Sequence, residues 1–260
     1  MRILTARTAL IICIVILVSC ASSHIRFPTA SLEKPFDNPK IVSGVVWIPE
    51  GEGPFPAIVL LHGCGGLTPY VIREWPSYLT SLGYTVLVVD SYGSRGAKNC
   101  KQTKYHHTRI LAEDAFGALD YLATLPSVDT NRVGVMGFSR GAIAVSQYIV
   151  NSIREELEGV NFKAAIALYG ACSSEYDSDS VPLMAIAAEK DLKNASPCIA
   201  VGKQSPELEV HVIPGAYHGF DSRSASGKVD FGGTEMRYSE SATNKARQLT
   251  KGFFAKHLGK

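Results

Sequence analysis

The chain has no run of like charges and no basic stripe, which excludes the electrostatic footprint of a nucleic-acid-binding protein. It also lacks C-x-x-C spacing and any cluster of cysteine with histidine, so no metal site is expected. No internal repeat or low-complexity tract interrupts it, and 260 residues, 46% of them apolar, can bury one sizeable core. One domain is therefore expected. A long apolar run is missing too: Ala9–Val18 is unbroken but too short to cross a bilayer as a helix.

What surrounds that short run gives it a meaning. Arg2 and Arg7 precede it as a positive n-region, so residues 1–19 read as a secretory signal peptide. The run closes on Leu17-Val18-Ser19-Cys20, which resembles the lipobox of bacterial lipoproteins, where the cysteine is lipidated and becomes the new N-terminus. The alternative is an ordinary signal peptide that ends near a cysteine. The expectation is a protein of the bacterial cell envelope, facing the periplasm and touching the membrane only through a lipid on Cys20. Labelled palmitate should enter the wild-type protein and not Cys20→Ala; a wild-type protein that stays unlabelled has no such anchor. Loss of the signal leaves 24 basic against 24 acidic side chains, close to neutral.

Four cysteines remain beyond Cys20: Cys64, Cys100, Cys172 and Cys198. In an oxidising compartment an even count reads as disulfides, with three connectivities open. Cys172 with Cys198 is favoured, because each follows one of two neighbouring expected strands. Cys64 and Cys100 then form the second pair or stay as buried thiols.

Residues 20–40 are polar and read as tether and lead-in to a domain spanning 41–260. Expected strands are Ile41–Ile48, Ala57–Leu61, Thr85–Asp90, Val133–Phe138, Ala164–Tyr169, Pro182–Ala187 and Leu208–Ile213. Several are continuous apolar runs, as in strands covered on both faces. Helical spacing appears at Val71–Leu82, His107–Leu125, Ala142–Val150 and about Ser239–His257, while Val128–Asn131 reads as a turn. Strands alternating with helices give an α/β fold, a mostly parallel sheet with helices on both faces.

The centre of this arrangement is Gly137-Phe138-Ser139-Arg140-Gly141. A strand, a G-x-S-x-G turn and a helix in that order make a nucleophile elbow, whereas the pentapeptide alone could be an ordinary turn. Ligands of such sheets sit at the C-terminal strand ends. Two further strands stop there at Glu189-Lys190-Asp191 and at Pro214-Gly215-Ala216-Tyr217-His218-Gly219-Phe220. The order Ser139, Asp191, His218 is that of α/β-hydrolase triads. A serine hydroxyl needs a base, an imidazole ordinarily titrates near neutrality, and a carboxylate selects its tautomer. Glu189 competes with Asp191, which lies further past the strand end and reaches across better. His62 is expected to brace the loop it opens, and His106 and His107 to be solvated. Oxyanion donors are expected at the amides of Arg140 and of Cys64, in the Gly63-Cys64-Gly65 loop. The Cys64 thiol has no partner spacing to support it as a nucleophile.

Together these stretches resemble the dienelactone hydrolase family of the α/β-hydrolase superfamily. The resemblance rests on Leu61–Gly66, Val89–Tyr92 with Arg95, Val135–Gly141, Glu189–Asp191 and Pro214–Phe220, in the family's order over about Ile41–Leu258. It implies the α/β-hydrolase fold and cleavage of a small-molecule ester or lactone, without metal or organic cofactor. Founding members use cysteine as nucleophile, where this chain has Ser139, which makes a general carboxylesterase as plausible as a dienelactone hydrolase. The resemblance also implies a substrate-carboxylate site after the fourth strand, at Arg95 with Tyr92 beside it, unless Arg95 is a surface-loop arginine. Two other readings stand beside this one. The first is a non-catalytic envelope binding protein on the same scaffold. The second is a peptidase or polymer esterase of this fold, which would need a longer open groove.

Overall fold

A computed structural model describes residues 22–30, 32, 40–103, 108–150, 160–174, 176, 181–205, 207–225, 227–229 and 233–259. The expected lipidation site Cys20, and His106 and His107, lie outside these residues.

Eight strands form one sheet: β1 (Ser22–Pro28), β2 (Ile41–Trp47), β3 (Phe55–Leu61), β4 (Thr85–Asp90), β5 (Val128–Phe138), β6 (Ala164–Leu168), β7 (Leu183–Ala188) and β8 (Glu209–Ile213). Their spatial order is β1-β2-β4-β3-β5-β6-β7-β8. Pairing is antiparallel from β1 to β2 and from β2 to β4, and parallel across the rest. The continuous apolar runs have the cause inferred for them. Along β3, Ala57, Val59 and Leu61 enter one core while Ile58 and Leu60 enter the other, so successive side chains are buried on opposite faces.

Helices cover both faces. On one side lie α2 (Arg109–Ala123) with Leu111, Ala115, Leu119 and Leu122, and the short α3 (Arg140–Ala144). On the other, α1 (Trp75–Ser81) contributes Trp75 and Leu79, and α5 (Glu240–Leu258) contributes Phe253, Phe254 and Leu258. Helix α5 starts where Ser239 caps it, its hydroxyl accepting the Ala242 N–H at 3.2 Å.

Three features depart from the sequence expectation. Ser22–Pro28 is not tether but the edge strand β1, paired along its length with β2. Val128–Asn131 is not a turn but the start of β5, where Phe55 pairs with Val128 before a register shift. Helix α4 (Leu192–Gln204) was not anticipated, because Pro197 in its middle and a polar first half hide its period. Two disulfides close, the favoured Cys172–Cys198 and, of the two readings left open for the other cysteines, the pair Cys64–Cys100. Cys64–Cys100 joins the loops after β3 and β4, and Cys172–Cys198 joins the segment after β6 to α4, with Cys198 inside that helix rather than at a strand end.

Candidate active site

Strand β5 delivers Ser139 to the sheet's C-terminal edge and turns sharply there. The residue sits at φ 52°, ψ −109°, a conformation L residues avoid. Its N–H donates to the Leu168 carbonyl at 2.9 Å and its carbonyl accepts the Ile143 N–H at 3.0 Å, which hold it in that strained state. The two flanking glycines make room. A Cβ on Gly137 would stand 2.2 Å from the Gly141 carbonyl oxygen, and one on Gly141 would stand 2.4 Å from that of Leu61. Both obstacles are backbone, so neither can swing aside. Gly137→Ala is therefore expected to destabilise the fold by about 3 kcal/mol or more, read as a melting temperature lower by roughly 6–12 °C. An unchanged melting temperature would show that the elbow is looser than drawn.

Strand β7 ends at Ala188, and Asp191 lies three residues on, immediately before α4, with 1% of its surface exposed. Strand β8 leads to His218, 3% exposed. Two backbone bonds tie the loops together: Glu189 N–H to Ile213 and Lys190 N–H to Ala216. The three side chains converge. Ser139 Oγ is 3.0 Å from His218 Nε2, and His218 Nδ1 is 2.6 Å from Asp191 Oδ2. Asn194, one turn into α4, donates from Nδ2 to both Asp191 oxygens at 3.0 and 2.9 Å. That clamp was invisible in the sequence because α4 itself was. The competitor Glu189 faces solvent, where its carboxylate accepts the Gly215 N–H at 2.9 Å. That bond, and then Lys190, hold its pKa below the usual carboxylate range. It braces the histidine loop from outside.

The loop after β3 presses on the nucleophile, since a Cβ on Gly63 would lie 3.1 Å from Ser139 Cβ. His62 is fully buried and braces this loop, as expected. Its Nδ1 lies 2.8 Å from the Gly63 carbonyl, and its Nε2 accepts the Ser91 N–H at 3.2 Å. Those partners select the neutral ring with the proton on Nδ1, and burial pushes its pKa down in the same direction. The carbonyl so held belongs to the Gly63–Cys64 peptide, which also accepts the Gly66 N–H at 3.2 Å. Fixing that carbonyl fixes the plane, and hence the aim, of the Cys64 N–H on the peptide's other side. The Cys64–Cys100 disulfide anchors the same residue through its side chain.

Tyr92 and Arg95 are not where a substrate could meet them. Arg95 donates from Nη1 and Nη2 to the two oxygens of Asp114 on α2, both at 2.8 Å, and from Nη1 to the Ser91 carbonyl at 2.7 Å. This forked pair is buried, with side-chain exposures of 9% and 0%. Burial raises the Asp114 pKa in spite of Arg95. Tyr92 is buried with its ring 4.5 Å from that of His62. Both residues fasten the β4 loop to the core, so the expected carboxylate subsite is withdrawn.

A cavity of about 270 Å³ opens over the converging side chains. Ser139, His218 and Cys64 form its floor, while Tyr70, Tyr169 and Met236 give it a largely apolar wall. Met236 arrives on a two-stranded ribbon of β9 (Lys228–Val229) and β10 (Glu235–Met236), and pairs with His218 through an isolated bridge. Sequence reading missed Tyr70, Tyr169 and the buried Asp221 behind them. Only Asp221 carried a signal, by following His218-Gly219-Phe220 directly.

A mostly parallel sheet with a strained serine after β5, and a carboxylate and a histidine after β7 and β8, defines an α/β-hydrolase. The chain belongs to the dienelactone hydrolase family, whose model matches residues 42–258. Among curated proteins it is 31% identical to Esterase FrsA of Klebsiella pneumoniae over 119 residues, a match covering 45% of this chain but only 28% of that protein. Among solved structures, a dienelactone hydrolase-like promiscuous phosphotriesterase from metagenomic libraries superposes with a TM-score of 0.65 at 18% identity, covering 92% of this chain and all of that one. A ferulic acid esterase from Streptomyces cinnamoneus gives a TM-score of 0.63 at 18% identity, covering 91% of this chain and 89% of its own. At such identities these structures establish the fold.

Proposed function

We propose that the protein is a serine hydrolase of small carboxylic esters or lactones, acting through an acyl-enzyme, and that it works in the cell envelope from a lipid on Cys20. The observation carrying the catalytic reading is the unbroken contact path from Ser139 Oγ to His218 to Asp191, at 3.0 and 2.6 Å.

Each step follows from that path. Ser139 Oγ forms a bond to the substrate carbonyl carbon while its proton passes to His218 Nε2. The carbonyl π electrons move onto oxygen, where the amides of Arg140 and Cys64 receive the charge. Asp191, fixed by Asn194, holds the Nδ1–H tautomer and stabilises the imidazolium. The tetrahedral adduct then collapses: the C–O bond to the alcohol breaks, and the leaving oxygen takes the proton from His218. Water repeats the sequence on the acyl-serine, giving up a proton to His218, and the freed Ser139 oxygen recovers it as the acid departs. No metal or cofactor is required. A cavity of 270 Å³ lies below the range of about 300–1,000 Å³ usual for drug-sized ligands. That size favours short acyl groups and argues against the long groove of a polymer esterase or peptidase.

A fluorophosphonate probe should label the wild-type protein and leave Ser139→Ala unlabelled, and p-nitrophenyl esters should lose kcat/KM as the acyl chain lengthens beyond about four carbons. Failure to label would favour the binding-protein reading instead.

A further inference from the structure

Next to the triad, and not used by it, is a second buried carboxylate. Asp221 is 1% exposed and lies three residues beyond His218. Its Oδ1 accepts from the Tyr169 hydroxyl and its Oδ2 from the Trp75 indole N–H, both at 2.7 Å, and its own backbone N–H adds to these. Tyr169 is the residue after β6, held at φ 39°. Its ring stands edge-on to the His218 imidazole at 5.0 Å and to Phe220 at 5.2 Å, and it forms part of the cavity wall. Its hydroxyl also meets that of Tyr70, so Tyr70, Tyr169 and Asp221 make a chain running inward from the cavity. Burying a carboxylate among neutral donors is expensive, and an apolar side chain would fill the space more cheaply.

We propose that Asp221 is a positioning residue of the active centre, which locks the Tyr169 phenol against His218 and supplies a second negative charge to the imidazolium formed when His218 takes the Ser139 proton. The inference rests on the serine mechanism proposed above. The groups facing Asp221 are few. They are Tyr169 after β6, Tyr70 and Trp75 on the segment leading into and opening α1, and His218 on its own loop. Arg247 of α5 approaches the indole face, 5.7 Å from the ring centroid, and forms no ion pair with the carboxylate. Within the catalytic centre ionised Asp221 attracts His218, and the attraction appears only once the imidazole is protonated. An interaction stronger in the transition state than in the ground state raises kcat rather than lowering KM. Burial raises the Asp221 pKa to about 6 against the pull of Tyr169, Trp75 and His218. The charge is therefore present above that pH and lost below it.

The test compares wild type, Asp221→Asn, Tyr169→Phe and Ser139→Ala on p-nitrophenyl acetate between about pH 5 and 8, read at the p-nitrophenol isosbestic wavelength. At pH 8 Asp221→Asn should lower kcat about tenfold with KM within about twofold. The wild-type to Asp221→Asn ratio should then fall toward one below about pH 6, as the wild-type carboxylate takes up its proton. A purely structural role would leave that ratio constant, and a constant ratio overturns the proposal. Tyr169→Phe keeps the ring but removes one donor to the carboxylate, so its acid limb should move to higher pH. If Asp221→Asn does not fold, an unmoved acid limb in Tyr169→Phe overturns the proposal by itself. Ser139→Ala separates the two levels: hydrolysis surviving there sinks the serine reading, whereas its loss alongside a constant ratio sinks only the role of Asp221.

Discussion

Ser139→Ala should reduce the turnover of p-nitrophenyl acetate by a factor of about 10⁴ to 10⁶. The residual rate would come from amide donors and substrate binding, which the substitution leaves in place. Alanine retains the Cβ, so the strain at φ 52° is the same in both proteins and the variant should melt where the wild type does. That makes the kinetic loss attributable to one missing oxygen. The Gly63 loop would keep its shape, because His62 and the Cys64–Cys100 disulfide hold it independently of the hydroxyl. A variant within tenfold of wild type would mean that another atom attacks the ester, and the mechanism would have to be abandoned.

The second large effect separates two carboxylates only two positions apart. Asp191→Asn should lower kcat by about 10⁴-fold. Its amide would face two sets of N–H donors, from Asn194 Nδ2 and from His218 Nδ1, with one oxygen to satisfy them. Turning the amide nitrogen toward Nδ1 would move the imidazole proton to Nε2, where it could no longer accept from Ser139. Glu189→Gln should by contrast stay within about twofold of wild type, since Glu189 is solvent-exposed and a glutamine carbonyl can still accept the Gly215 N–H. The reverse ranking would give the acid's role to Glu189 and contradict the observed contacts.

Some of this architecture was legible in the linear sequence because it depends on neighbours along the chain. Buried parallel strands need apolar side chains on both faces, so Ala57–Leu61 and Thr85–Asp90 announce themselves as continuous runs. The elbow needs glycine two residues either side of Ser139; the collision at Gly137 is with the backbone of Gly141, four residues on, although that at Gly141 is with Leu61 on a neighbouring strand. The order of Ser139, Asp191 and His218 is likewise a property of the chain. The limits of that reading have the same origin. Helix α4 was missed because Pro197 breaks its apparent pattern, although in the fold Cys198 and Val201 anchor it to the core. The edge strand β1 was missed because most of it faces solvent and its character comes from pairing with β2.

Arg95 marks the boundary most clearly. The family resemblance implied that it would hold a substrate carboxylate. Which carboxylate it would meet depended on Asp114, 19 residues away on a helix packed over the same edge, whose two oxygens take both ends of the guanidinium in a buried forked pair. Asp221 is the converse case, an unremarked acid until folding placed it between Trp75, 146 residues before it, and Tyr169, 52 residues before it. Sequence by itself thus determined the class of fold and the identities of the converging serine, histidine and aspartate. Tertiary structure alone decided which of the remaining charges face the cavity and which are spent on holding it together. Burial and hydrogen bonding act through distances in space, and those exist only once the chain has closed.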